Sequence, residues 1–180
     1  MQFQEEVGKP MLGYVIAEGA GVADRLLADA AQILHAEALP LVGAVQINSD
    51  RDDARPCDMD LHVIASGRIV RISQNLGSLA RGCRLDPAGL EQVVGLVEQA
   101  LDDTGAGRPK LLIVNKFGKQ EAEGRGFRPL IGRALSEGLV VLTSVNTTNK
   151  PGFDGFAEGL AKPLAPTLPA VLDWCRKALA

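Results

Sequence analysis

Hydrophobic positions along the chain fall into short apolar runs that alternate with helical stripes. The first run covers residues 12–17, and the second covers residues 41–47 after a proline at position 40. Between them, apolar residues recur three and four positions apart, a spacing typical of an amphipathic helix. The residues in this stripe are Leu26, Leu27, Ala30, Ile33 and Leu34. The pattern predicts a strand, a helix and a second strand, and the polar residues 48–56 predict a loop.

The next segment has the alternating pattern of a β-hairpin. Its apolar positions Met59, Leu61 and Val63 alternate with polar ones, and residues 69–72 form a second short run. Ser66 and Gly67 between the two runs are residue types that favour a tight turn. We therefore predict an antiparallel hairpin inserted after the second strand.

The second half of the chain repeats the alternation of helices and strands. Asp86 and Pro87 are typical of a helix cap and a first helical position, and apolar residues follow at helical spacing. Residues 111–114 and 139–145 are almost wholly apolar, as expected of strands that are covered on both faces. A helix that includes Leu130 and Ile131 lies between them. Residues 151–169 predict a loop with at most a short helix, and residues 168–179 predict a final helix.

Alternating strands and helices predict the fold class. They favour an α/β fold with a mostly parallel sheet, helices on both faces and an inserted hairpin. Residues 1–180 fit one domain, since the chain is short for two. Ligands of such sheets bind beyond the carboxyl ends of the strands. That rule selects three loops, at residues 18–24, 115–128 and 144–152.

Charge and composition disfavour several classes of partner. The net charge of −3 argues against a nucleic-acid-binding domain, which is usually basic. We expect no membrane segment because no apolar run approaches the length that spans a bilayer. The acidic, polar amino-terminal residues do not match a signal peptide, so we expect a cytoplasmic protein. Cys57, Cys83 and Cys175 are widely spaced, and the two histidines lie far apart, so we predict no metal site. The sequence identifies no cofactor.

The loop at residues 18–24 follows the first strand, where a P-loop would lie. A working P-loop ends in Lys and Ser or Thr, which contact phosphate and magnesium. This loop keeps Gly19 and Gly21 but has no such Lys or hydroxyl, and Glu18 and Asp24 add negative charge. Backbone amides at the helix start can still face an anion. A plain turn between strand and helix explains the loop equally well.

The loop at residues 115–128 concentrates cationic side chains at the end of a predicted central strand. Candidate anion-binding residues in this loop are Asn115, Lys116, Gly118, Lys119 and Arg125. Its glycines and its place in the fold favour an anion site over a merely basic surface loop.

Three motifs carry a resemblance to a known family. The segments VNKFGKQEAEGRG, ISQNLGSLARGCRLD and CDMDLHVIASGRIVRIS resemble a bacterial family of unknown function. That family is similar to small P-loop nucleoside triphosphatases, and its members are often associated with molybdenum-uptake genes. In the triphosphatases the third-strand loop resembles Asp-Glu-Ile-Gly-x-Met-Glu. Asn115 and Lys116 stand here at the Asp-Glu positions, Gly118 is kept, and Glu121 matches the final Glu.

These differences predict a degenerate nucleotide site. A lysine beside the magnesium position repels the ion, and asparagine does not supply the missing charge. Without a P-loop lysine, phosphoryl transfer loses its main electrostatic support.

A third cationic cluster precedes the helix at Asp86. Arg81 and Arg84 near a helix start are suited to hold an oxyanion, through forked donors and the helix dipole. Pairing of Arg84 with a neighbouring surface acid is an equally good explanation.

Three functions remain open at this point. The leading one is binding or sensing of a small anion, either a nucleotide phosphate or an oxyanion such as molybdate. The second is nucleoside-triphosphate hydrolysis, with Glu121 as the catalytic residue. The third is a protein-interaction module whose hairpin adds to a partner's sheet or pairs with itself, which would make a homo-oligomer.

Overall fold

The computed structural model describes residues 11–47, 59–74, 84–103, 105 and 107–180. The first half contains β1 (Leu12–Val15), α1 (Val22–Ala36), β2 (Leu41–Gln46), β3 (Asp60–Val63), β4 (Ile69–Arg71), β5 (Ser73–Gln74), β6 (Arg84–Leu85) and α2 (Pro87–Asp102). The second half contains β7 (Leu111–Phe117), α3 (Lys119–Ala122), α4 (Arg128–Ser136), β8 (Val140–Val145), α5 (Lys150–Ala157), β9 (Ala161–Leu164) and α6 (Leu168–Leu179).

The described residues form a seven-stranded sheet in the order β4-β3-β2-β7-β8-β1-β9. The five strands from β2 to β9 pair in parallel, and β3 and β4 add an antiparallel hairpin at one edge. A two-stranded ladder of β5 and β6 accompanies it. The predicted α/β class, the mostly parallel sheet and the inserted hairpin are thereby confirmed.

The two apolar central strands carry the core on both faces. Residues of β7 alternate, so Leu112 and Val114 pack with α2, α4 and α5, whereas Leu111 and Ile113 pack with α1 and α6. Both β7 and β8 are almost wholly buried. This arrangement explains why neither strand shows the polar alternation of a half-exposed sheet.

The helix ends follow the local signals. Asp86 caps α2 by accepting a hydrogen bond from the Ala88 amide at 3.1 Å, and Pro87 begins the helix. α6 covers the predicted residues 168–179.

The prediction for residues 151–169 was wrong in one respect. Besides the helix α5, this segment contains β9, which pairs with β1 as an edge strand. None of its four residues is buried, and with Lys162 and Pro163 at its centre it lacks the apolar run that marks a strand.

β7 is also longer than the predicted run, because it continues to Phe117 through an irregular pairing with β8 between Val114 and Phe117. The predicted loop at residues 48–56 lies outside the described residues.

Candidate functional site

The three loops selected from the sequence meet at one edge of the sheet. β1, β7 and β8 are parallel neighbours, so the segments that follow them leave the sheet on the same side. This edge is where ligands of doubly wound sheets bind.

The first of these loops makes a sharp turn into α1. Gly19 and Gly21 have φ angles of 98° and 73°, in the left-handed region that favours glycine. Gly21 is the residue that precedes the helix, and the Arg25 amide donates to its carbonyl oxygen at 3.0 Å. The two glycines therefore have a backbone role at the start of α1, and this geometry leaves their predicted contact with an anion untested.

Asn115 lies at the centre of a buried polar cluster. Its Nδ2 donates to Oδ1 of Asp24 at 2.9 Å, and its own Oδ1 accepts a hydrogen bond from the Gln46 amide at 2.9 Å. Ser144 Oγ donates to the carbonyl oxygen of Asn115 at 2.5 Å. All four residues are buried. Asn115 thus joins β7 to α1, β2 and β8, and its side chain is engaged inside the protein.

Sequence reasoning noted Asp24 only as an unfavourable charge in the first loop. The available signal was its place in the first turn of α1, next to the apolar stripe, where an acid is favoured by the helix dipole. Its burial depends on a partner 91 residues away, which no local pattern reveals.

Glu121, the predicted catalytic residue, is buried between the two ends of its loop. The Gly118 amide donates to Oε2 at 2.9 Å and the Phe127 amide donates to Oε1 at 3.0 Å. Burial raises the pKa of Glu121 above its ordinary value, although these amide hydrogen bonds oppose the rise. The carboxyl group therefore holds the loop together, and its catalytic role stays a prediction.

Gly126 completes the surroundings of Glu121. Its φ angle is 60°, and a Cβ atom at this position would overlap Oε1 of Glu121. Its amide donates to Oε1 of Glu91 at 2.9 Å. The glycine is required both by its backbone conformation and by the close approach of the carboxylate.

Lys116 and Lys119 line a cavity of about 250 Å³ beside the carboxyl end of β7. Asn115, Gly118, Gln120, Glu121, Gln46 and Asn149 supply its other polar lining, and Met59, Leu61, Ile72, Leu85, Leu90 and Phe127 supply its apolar lining. Both lysines are exposed, and Lys119 Nζ lies 4.0 Å from Oε1 of Glu123. Lys116 makes no ion pair with any described residue. The structure thus brings together the two lysines, Asn115, Gly118 and Glu121.

Arg125 does not line this cavity. Arg125 forms an ion pair with Glu123 and donates from Nε to Gln120 Oε1 at 3.0 Å. Arg84 lies in β6 and its backbone pairs with Gln74. Arg81 lies outside the described residues. The proposed meeting of Arg81 and Arg84 with the lysines remains untested.

Gly21 of the first loop belongs to a different depression. Gly21 lines a cleft of about 910 Å³ between α1 and the β3 hairpin, and Gln46 is common to this cleft and the lysine cavity. Gly21 and the two lysines therefore line different sites.

Within the described part of the chain, no group of three or more His, Cys, Asp or Glu residues is arranged to hold a metal ion. No helix among the described residues is long and apolar enough to cross a membrane.

Two solved structures share the fold. A human cancer-related nucleoside triphosphatase aligns over 92% of this chain and 97% of its own, with a TM-score of 0.65 and 18% identity. THEP1 from the hyperthermophile Aquifex aeolicus aligns over 93% of this chain and 98% of its own, with a TM-score of 0.63 and 13% identity. At these identities the likeness shows the fold, which is that of the P-loop nucleoside triphosphatases.

One curated relative is similar in sequence. The molybdenum import ATP-binding protein ModC 2 of Bradyrhizobium diazoefficiens is 36% identical over 155 residues, which are 85% of this chain. The matched segment is 17% of that much longer protein. The model of a family described as a protein of unknown function, DUF2478, matches residues 12–174. The chain therefore belongs to the DUF2478 family.

Proposed function

We propose that this protein binds a small anion in the cavity beside Lys116 and Lys119, as a binding or sensing protein with a degenerate nucleotide site. The observation that carries the proposal is the position of two exposed lysines at one cavity beyond the end of a central strand. Lysine donates charge-assisted hydrogen bonds to phosphate and similar oxyanions.

The size of the cavity favours a compact anion. Its volume of about 250 Å³ is below the roughly 300–1,000 Å³ of pockets that enclose drug-sized ligands. A single phosphate group or a tetrahedral oxyanion such as molybdate is the ligand class that we expect here. A nucleotide would enter through its phosphate and leave its base outside. The molybdenum import protein among the relatives is consistent with an oxyanion.

Binding without turnover is the form of this function that the polar contacts favour. The side chain of Asn115 is committed to Asp24 and Gln46, and both oxygens of Glu121 accept backbone hydrogen bonds. Neither residue supplies a carboxylate directed at a ligand, as a magnesium site requires. Hydrolysis through Glu121 remains the alternative, and it requires the carboxylate to leave these two amides.

Calorimetric titration with phosphate, sulfate, molybdate and ATP tests the proposal. We expect Lys116→Ala and Lys119→Ala each to weaken the best-bound anion about ten-fold or more. Each charge-assisted hydrogen bond is worth roughly 1.5–3 kcal/mol, and about 1.4 kcal/mol is a factor of ten. Lys110→Ala is the matched control, because Lys110 is an exposed lysine just before the opposite end of β7.

The comparison between ligands identifies the class. Molybdate or phosphate binding as tightly as ATP indicates a site for the oxyanion alone. Much tighter binding of ATP indicates that the base and sugar contribute outside the cavity. Affinity that is unchanged in both lysine variants would remove this cavity from consideration.

A further inference from the structure

The larger cleft, of about 910 Å³, lies on the face of the β3–β4 hairpin that α2 does not cover. Helix α2 packs against β2, β3 and β4 from the other face, where Leu61 and Val70 join its core. Because side chains alternate along a strand, their neighbours His62 and Ile69 point toward the cleft side. The hairpin thus widens the sheet beyond α1 and leaves a groove beside that helix.

Exposed apolar side chains gather around this groove. Among the described residues the large exposed hydrophobic side chains are Val22, Ile47, Ile69 and Leu160. Val22 and Ile47, each 45% exposed, line the cleft. Ile69 is 58% exposed and pairs with His62, which also lines it. An apolar rim of this kind is typical of a surface that another molecule covers.

The wall formed by α1 carries a self-complementary charge pattern. Arg25 and Asp29 lie one turn apart, are exposed and line the cleft. Neither forms an ion pair with a described residue. In two antiparallel helices related by a two-fold axis between these positions, Arg25 of each copy faces Asp29 of the other. Ala28, small and partly buried, lies beside the axis and allows the helices to approach.

We infer that the groove is the interface of a homodimer, in which α1 of a second copy lies antiparallel to α1. Each copy supplies the same surface, so two copies satisfy each other's interface and assembly stops at the dimer. The second helix covers Val22, Ile47 and Ile69, and two Arg25–Asp29 ion pairs set the register. This surface is distinct from the lysine cavity.

The test is the oligomeric state of charge-swapped variants, measured by sedimentation and light scattering at up to about 100 μM protein, a range that detects micromolar association. We expect the wild type to be dimeric. Arg25→Asp and Asp29→Arg each place like charges opposite each other twice per dimer. Each should raise the dimer dissociation constant roughly 100-fold or more, because like charges across an interface are strongly repulsive. The double variant restores both pairs and should restore the dimer.

Lys162→Asp is the control, because it makes the same change of net charge as Arg25→Asp at β9, on the opposite edge of the sheet. We expect it to leave the dimer intact, and circular dichroism verifies that each variant is folded. A monomeric wild type overturns the proposal and leaves the groove to another ligand. The proposal is also overturned if both single variants remain dimeric, or if the double variant stays monomeric. It is overturned as well if Lys162→Asp weakens the dimer as much as the single swaps do.

Discussion

The carboxamide of Asn115 is hydrogen-bonded to the carboxylate of Asp24, so the end of β7 is tied to the first turn of α1. In the resemblance described above, Asn115 occupies the position of an acid. An acid there would face Asp24 directly, inside the protein. The asparagine and the buried aspartate are therefore a matched pair of donor and acceptor.

The first prediction concerns this pair. Asn115→Asp should lower the free energy of unfolding by about 1–3 kcal/mol at neutral pH, because it removes a donor and sets two buried carboxylates together. In the double variant with Asp24→Asn, the new amide at position 24 donates to the new carboxylate at position 115. This exchange should recover much of the lost free energy of unfolding. Urea denaturation of both single variants and the double variant measures the effect. Additive losses in the double variant would show that the two side chains are not coupled.

The second prediction concerns Gly126. Gly126→Ala places a Cβ against Oε1 of Glu121, and it also imposes a positive φ on alanine. Gly124→Ala is the matched control, since Gly124 also has a positive φ of 89° but has open space around its Cβ position. The control should cost about 1–2 kcal/mol of stability for the backbone alone, and Gly126→Ala about 1–3 kcal/mol more. Equal losses in the two variants would mean that the carboxylate moves aside freely.

A third prediction follows from the raised pKa of Glu121. Burial favours the protonated carboxyl in the folded state, so the folded protein binds the proton more tightly than the unfolded chain does. The corresponding stability is present below the ordinary value of 4.5 and is lost as the pH rises through the folded pKa. The stability of the wild type relative to Glu121→Gln should therefore fall as the pH rises from below 4.5 toward neutrality. Chemical denaturation across this range checks the sign, and a relative stability that rises with pH would contradict it.

The fourth prediction is negligible magnesium-dependent hydrolysis of ATP or GTP. Lys116 repels a divalent cation, and the first loop has no lysine that reaches a phosphate. A phosphate-release assay should give a rate far below the roughly 10 per second typical of enzymes. Turnover near that rate, lost in Glu121→Gln while the protein remains folded, would instead establish the hydrolase.

The sequence predicted the elements that are strongly periodic or wholly apolar. A local sequence pattern is enough to predict the central strands and the helices α1, α2 and α6. β9 was missed because an exposed edge strand with a proline has no such signal. The rule on strand order selected the loop after β7, and Lys116 and Lys119 of this loop line one cavity. Their role as anion ligands stays a prediction.

The internal use of Asn115 and Glu121 was not predictable in the same way. Asn115 is fixed by Asp24 and Gln46, from two other elements, and Glu121 is fixed by backbone amides of its own loop. Sequence patterns identify residue types that are able to do chemistry, whereas burial and partners decide whether they face a ligand.

The position of β1 in the sheet has a consequence for synthesis on the ribosome. This strand is made well before both of its neighbours, β8 and β9. Leu12 pairs with Val141 on one side and Ala161 on the other, so β1 has no native partner in the sheet until these later segments emerge. Contacts between such distant segments slow folding and keep apolar surface exposed during translation. Closure of the sheet around β1 therefore waits for β8 and β9, and a nascent chain that stalls before β8 has no native partner for β1.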